Sequence, residues 1–535
     1  MALLAGFLDV VLRGVGLVAF SVCIGGVAFV ALVLNPHSRE PLPPRRARTR
    51  ALRLISLGAV TLALTQFVVV AMKLTTLAGP DGAWPLTDFL RTQFGTASAV
   101  RIGSSLALAA IAARFGSGYE LSPRVRLALL IPALALVVNG AWLSHAAGRV
   151  ETDTVLVLAD VVHRAAAATW AGGLVHLLAF WTTWRGHAHS SRVLSRFSRL
   201  AMVAVPTFIA AGVALVLRYV DSFGGLVGTA FGVMVLSKIV LVGLGLALGA
   251  LSFSMVRRAR ALSMAPPGRV QWLIEAEIGV GITILLAAAS LSSVPPTVDV
   301  IADRVEPSMV ATRFVPRIPR LTSPPIEELL AIATPISKPD APRQPVEYAW
   351  SEYNHHTAGA YVVTMGALAF AARAGVRSAR HWPLLLLGLG AFMFVRNDPE
   401  AWPLGPVGFW ETFLFPDVLQ HRASVLIVVG LGIFEWLVRT DRVRSPRWKL
   451  MFPLLCAAGA ALLITHSHGT ANVKASFLIE VSHTPLGILG VLVAWGRWLE
   501  VRLPEPDCRI PGRVWPAAMT LLGVFLMFYR EEPPS

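Results

Sequence analysis

Charged residues and cysteines are both scarce in this sequence. Only 15% of its 535 residues are charged and 55% are hydrophobic, whereas an average soluble domain has roughly 25% charged residues. This balance excludes an ordinary soluble enzyme. The three cysteines, Cys23, Cys456 and Cys508, lie far apart and form no CxxC pair. Neither a disulfide framework nor a thiolate metal site is therefore predicted.

Familiar functional motifs are also missing. No Walker A loop or dinucleotide fingerprint stands where a strand followed by a helix could support it, and the twelve methionines form no closely spaced group. The first segment has no basic stretch before its apolar run and no small-residue cleavage pattern, so we expect it to be a retained helix. We expect a protein that is not an enzyme, with a redox role only if it carries haem.

Long apolar runs are what the sequence has instead. Runs of about 18 to 25 residues recur, and each is long enough to cross the roughly 30 Å hydrocarbon core of a bilayer as a helix. They predict an all-α polytopic membrane protein with about fourteen transmembrane helices. The predicted spans are about 7–34, 54–78, 96–114, 127–146, 157–182, 200–220, 229–253, 272–293, 355–372, 382–396, 422–438, 450–466, 482–499 and 514–529.

One long polar stretch divides these spans into two groups. It holds eleven prolines from Pro295 to Pro345, which is typical of an extended linker, with at most one short helix near Ile326 to Ile332. The sequence thus predicts an eight-helix membrane domain over 1–297, an external linker over 298–347 and a six-helix membrane domain over 348–535. We call the two membrane domains the first block and the second block.

Arginine placement predicts the orientation and explains the formal net charge of +16. Basic residues concentrate in alternate connections, which the positive-inside rule assigns to the cytoplasm. Both termini and the linker then face outward. The charge needs no nucleic-acid partner, and the lipid bilayer is the expected surrounding. The basic connections are 35–53, 114–126, 183–199, 254–271, 373–381, 439–449 and 497–513.

Histidines at the predicted outer side are the main candidates for a site. Imidazole is a common ligand for copper, zinc and haem iron, so clustered histidines predict a shared metal or haem site. Glu480 is added because it shares a helix face with His483. The outer histidines are His145, His163, His355, His356, His421, His466, His468 and His483.

The first block carries a second group of ionisable residues inside its spans, where they are costly and therefore candidates for function. Asp160 and His163 share a helix face with Arg164, and Asp160 could pair with Arg164 or orient His163. The outer halves of these spans are otherwise cationic, through Arg13, Arg101, Arg164, Arg218 and Lys238. Such a field suits an anionic group, such as haem propionates, a quinone-derived anion or a copper ion already bound to anionic ligands. Alternatively, external acids such as Asp81, Asp88 and Glu151 neutralise it.

The stretch DVVHRAAAATWAGGL at 160–174 resembles the D-x-x-H-x-x-A-x-x-x-W-x-G-G-L helix of the copper resistance protein D (CopD) family. QFGTASAVRI at 93–102, RFSRLAMVAV at 196–205 and EAEIGVGITILLAAASLSSVPP at 275–296 extend the resemblance over about residues 1–297. It implies a multi-pass protein of the bacterial inner membrane that takes part in copper uptake or resistance, often with a periplasmic copper-binding partner. It also implies His163, with Asp160 beside it, as a candidate copper contact.

The second block is only weakly similar to the oxidase-assembly modules (CtaG-like) fused to some members of that family. The leading hypothesis is copper handling or transport, with outer histidines as metal ligands. One alternative is a haem-bearing electron carrier that uses His145, His163 or second-block histidines as axial ligands. Another is a non-catalytic assembly or sensor subunit that docks through the linker.

Overall fold

The computed structural model describes residues 2–34, 45–78, 82–116, 122–143, 154–184, 190–262, 264, 267–332, 344–465 and 473–531. Within these ranges the chain is helical and forms no β-strand beyond one isolated bridge between Ala401 and Val407. The prediction of an all-α fold is confirmed, and within the described ranges a helix overlaps each of the fourteen predicted spans.

The first block contains eight long helices. They are α1 (Ala2–Ala28), α2 (Arg45–Thr76), α3 (Gln93–Phe115), α4 (Pro123–Trp142), α5 (Thr154–Trp184), α6 (Ser190–Tyr219), α7 (Ala230–Ala261) and α8 (Val270–Leu291). The second block contains six. They are α9 (Pro345–Arg373), α10 (Leu385–Arg396), α11 (Pro416–Arg439), α12 (Met451–Ile464), α13 (Val473–Arg502) and α14 (Pro511–Met527).

Hydroxyl side chains begin several of these helices. Thr92 accepts a hydrogen bond from the Gly95 amide at 3.0 Å before α3, and Thr229 accepts one from the Gly232 amide at 3.1 Å before α7. These caps satisfy amides that have no partner within the helix, which matters most where water is scarce. Beyond the caps, the apolar composition keeps the chain helical, because in lipid a helix satisfies its own backbone groups.

Twelve helices in the described ranges are long and apolar enough to cross a membrane, if α10 is taken together with the 3-10 turn that precedes it from Ser378. The other two are α9, which is long but carries a more polar first half, and α12, which forms a shorter apolar helix from Trp448 to Ile464. The protein is therefore a membrane protein by composition and helix length. The count of fourteen spans and the outward termini stay predictions. The outer end of a helix is the end that the charge pattern places outside.

The linker is more structured than the sequence suggests. The expected helix is present at Ile326–Ile332, but a second helix spans Pro307–Thr312 and short 3-10 turns precede it. The expectation of at most one short helix is wrong, because Pro307 stands at the first helical position, where proline favours helix initiation.

An ion pair fastens the start of the linker to the outer end of α6. Arg304 contacts Asp221 at 2.5 Å, and Thr297 donates hydrogen bonds to Asp221 at 3.1 Å and to the Tyr219 carbonyl at 2.8 Å. The hydrogen bond from Arg304 lowers the pKa of the Asp221 carboxyl below its ordinary value. The first 3-10 turn is thereby held against the first block.

The two blocks pack on each other through α8 and α13. Glu275 on α8 pairs with Arg502 at 3.2 Å and accepts a hydrogen bond from the Trp498 indole at 3.1 Å. One turn along α8, Gly279 lies so close to the Trp495 ring that a Cβ there would stand 1.8 Å from it. Glycine permits this approach, and the buried core is continuous from one block into the other.

Candidate metal centre

Two histidines from different helices meet near the outer end of the second block. His355 on α9 and His483 on α13 have ring centroids 5.6 Å apart. The phenol ring of Tyr529, just after α14, stacks on His355 at 3.9 Å and lies 5.8 Å from His483. Residues from α9, from α13 and from the segment after α14 thus form one aromatic cluster.

Backbone hydrogen bonds determine which nitrogen of each ring carries its proton. The Nδ1 atom of His355 lies 2.8 Å from the Ser351 carbonyl, and Nδ1 of His483 lies 2.8 Å from the Ile479 carbonyl. A carbonyl only accepts, so Nδ1 donates in both rings and the lone pair of each neutral imidazole is on Nε2. Metal-binding histidines typically show this arrangement, in which one nitrogen donates to the protein and the other faces the metal.

His421 on α11 is the third histidine of this region. Its Nδ1 atom lies 2.7 Å from the carboxylate of Asp398, which is 7% exposed. A carboxylate in this position orients the ring and makes Nε2 more basic. His421 also lies within electrostatic range of both His355 and His483.

His356 points a different way from its neighbour. Its Nδ1 accepts a hydrogen bond from the Arg320 amide at 2.7 Å, and its Nε2 lies 2.8 Å from the Tyr529 carbonyl. Both ring nitrogens therefore bind the backbone. His356 joins the linker to the end of α14, and its predicted role as a metal ligand would require these bonds to break.

The remaining predicted ligands of the second block are placed less fully. His466 and His468 lie outside the described residues, as does His145 of the first block. Glu480 is half-buried, one turn before His483 on α13. Among the described side chains, no group of three His, Cys, Asp or Glu residues is placed as a ready metal site. The described side chains thus bring two of the predicted histidine ligands, His355 and His483, into direct ring contact.

Sequence reasoning missed Tyr529 and Asp398. The final described residues turn back against the linker and α9. Arg530 donates to the Thr312 carbonyl of the linker at 2.8 Å, and the Glu531 amide donates to Glu352 on α9 at 3.2 Å. Alternating topology does bring the end of α14 to the same side as the start of α9. That was the available signal, but it does not specify the contact between Tyr529 and His355.

In the first block, the structure distinguishes the two roles predicted for Asp160, pairing with Arg164 or orienting His163. Its carboxylate pairs with Arg164 on the same helix at 2.8 Å. His163 is oriented instead by the Phe208 carbonyl of α6, 2.8 Å from its Nδ1 atom. Asp160 is thus the counter-ion of Arg164 and does not hold His163. Their role as copper contacts stays a prediction.

The first block has a cationic interior, and acidic side chains neutralise only part of its charge. Arg13 pairs with Asp9 at 2.7 Å. Arg101 and Lys238 make no hydrogen bond or ion pair in the described part of the chain, and the Nε atom of Arg101 is buried without a partner. Among the acids expected to neutralise this field, Asp88 is exposed, and Asp81 and Glu151 lie outside the described residues.

Two family models match parts of the first block. Residues 4–150 match the family model "Copper resistance protein D-like, N-terminal domain", and residues 191–291 match "Copper resistance protein D". The resemblance of the first block to the copper resistance protein D family is confirmed. The matches end at residue 291, so they leave the second block and its histidines unassigned.

One curated protein is also similar to about half of this chain. The copper transport protein CutJ of Bacillus subtilis (strain 168) is 29% identical over 301 residues, which cover 53% of this chain and 52% of that protein. The chain thus matches about half the length of that relative. No solved structure gives a significant match. Neither family description nor the relative's name mentions haem.

Proposed function

We propose that this protein handles copper in the bacterial inner membrane, and that His355 and His483 supply two of the ligands. The observation that carries the proposal is their pairing at 5.6 Å between ring centroids, with each Nδ1 donating to a backbone carbonyl. Imidazole nitrogen suits copper, and two rings approaching from separate helices are ready to hold one ion between them. The likeness of the first block to a copper resistance family supports copper as the metal.

We assign the third ligand to His421. The buried Asp398 carboxylate orients its ring, and His421 lies within electrostatic range of both other histidines. His466 and His468, at the predicted outer end of α12, are the alternative donors. Copper captured at this outer end, from a periplasmic copper-binding partner or from solution, then passes to the first block.

The first block conducts or delivers the ion past His163. Its unpaired cations Arg101 and Lys238 oppose a bare copper ion, since like charges repel strongly where water is excluded. Copper therefore moves through this block together with anionic ligands that offset those charges.

The experiment is a copper titration of the purified full-length protein, followed by metal analysis. We expect wild type to retain copper, and the variant carrying His355→Ala and His483→Ala to lose it. The matched control is His381→Ala. His381 lies at the opposite end of the second block, accepts a hydrogen bond from Trp436 at 3.1 Å, and should leave copper binding unchanged.

Cellular copper accumulation measured with the same variants tests the transport step. Equal copper accumulation in cells with wild type and with the double alanine variant would show that these histidines are not needed for the function. A visible spectrum of the purified protein addresses the haem alternative, because bound haem gives an intense Soret band and copper bound by histidine does not.

A further inference from the structure

The first block contains a cavity that the copper proposal does not use. Its volume is about 340 Å³, and it lies between α5, α6, α7 and α8. Pockets for small organic molecules start at roughly 300 Å³. The volume is enough for one ring with a few substituents.

The cavity has apolar walls and a polar end. Trp170 and Phe197 line it, and Trp170 is held by stacking on Phe208 at 5.5 Å. At the polar end, the Trp170 indole donates to the buried Glu277 carboxyl at 3.2 Å. The Ser252 hydroxyl also lines the cavity, is 8% exposed as a residue, and has no hydrogen-bond partner in the described part of the chain.

The cavity opens sideways, on the surface that faces lipid in a membrane. Met202 on α6 and Phe253 on α7 line it and are 53% and 41% exposed. Gly249 on α7 leaves the polar end open, because a Cβ there would stand 3.1 Å from a Glu277 oxygen. A molecule dissolved in the bilayer can enter between α6 and α7.

We propose that this cavity binds a lipid-soluble quinone or quinol. The aromatic walls suit a flat ring, and the ring oxygens pair with Glu277 and the Ser252 hydroxyl, which otherwise remains unsatisfied at a cost. The alkyl tail leaves through the lateral opening. The lining residues include no lysine or arginine, so the anionic headgroup of a phospholipid lacks a partner, and one carboxylate without histidine or cysteine does not make a copper site.

The test is binding of decylubiquinone to the full-length protein in detergent, followed by quenching of tryptophan fluorescence. We expect saturable quenching for wild type and none for Gly249→Leu, whose side chain fills the polar end. The matched control is Gly243→Leu on the same helix, where a Cβ meets nothing within 4 Å, and it should bind like wild type. Ser252→Ala, which adds no bulk, should weaken binding about fivefold through the loss of one hydrogen bond.

Equal quenching in wild type, Gly249→Leu and Ser252→Ala would overturn the proposal. The proposal would also be overturned if one phospholipid per chain copurified with wild type and was lost from Gly249→Leu, while decylubiquinone did not bind. The quinone proposal and the copper proposal can fail separately. Gly249→Leu should lose quinone binding, yet its copper titration should match that of wild type.

Discussion

At the scale of single residues, hydrogen bonding separates histidines that look alike in the sequence. His355 and His356 are adjacent, yet one donates to its own helix and stacks on Tyr529 while the other binds two backbone groups from distant segments. The sequence predicted that outer histidines converge, because helix ends on one side share a depth. It could not predict these bonds, because they depend on the paths of the linker and of the chain end.

The buried carboxylate behind His421 provides a prediction at this scale. Replacing Asp398 with Ala should weaken copper binding roughly 10- to 100-fold, as is typical when the partner of a metal-binding histidine is lost. Asp398→Asn keeps an acceptor for the Nδ1 proton and should weaken binding less. A competition titration with a copper chelator measures both. Unchanged affinity in both variants would exclude His421 as a ligand.

At the scale of elements, apolar runs located the helices well but not their ends. The sixth span is predicted over 200–220, whereas α6 covers Ser190–Tyr219. The helix begins earlier because arginine and serine continue it beyond the apolar window, and a hydropathy criterion cannot detect that extension. The short helix at Pro307–Thr312 was missed for a related reason, since its signals are local and polar.

The linker attachment gives a prediction about pH. The pKa of Asp221 is lowered by its hydrogen bond from Arg304, so its contribution to stability is complete above the ordinary aspartate value of about 4 and is lost as the pH falls through the lower folded value. Hydrogen exchange of the backbone at 297–304, corrected for the intrinsic rate, should show protection near neutral pH that disappears only in strong acid. Asp221→Asn should remove this pH-dependent part.

The neighbouring exposed carboxylate of Asp303 supplies the control for that experiment. Asp303→Asn should leave the protection profile unchanged. Identical profiles for wild type and Asp221→Asn would show that the ion pair does not fasten the linker.

At the scale of the whole molecule, the two blocks form one packed body through α8 and α13. Hydropathy gave the order of the spans and the division at the linker, but not which helices touch. Glu275 lies within the eighth predicted span of the first block, and its partner Arg502 lies in the second block. Such long-range pairs follow from how the helices pack, which a single sequence does not specify.

Gly279 provides the test of this packing. Alanine normally stabilises a helix relative to glycine by about 1 kcal/mol, but at 279 its Cβ would overlap Trp495, and overpacking should instead cost about 1–3 kcal/mol. Gly281→Ala on the same helix meets nothing within 4 Å and should be neutral or stabilising. Unfolding of the purified variants by heat compares them. Equal stability of the two would contradict the close contact between the blocks.

The most direct test of the central claim is X-ray absorption at the copper edge on the copper-loaded full-length protein. We expect a first shell of nitrogen atoms with the multiple-scattering pattern of imidazole, which loses most of its intensity in the variant carrying His355→Ala and His483→Ala. A first shell of sulfur, or an imidazole signal unchanged in that variant, would contradict it.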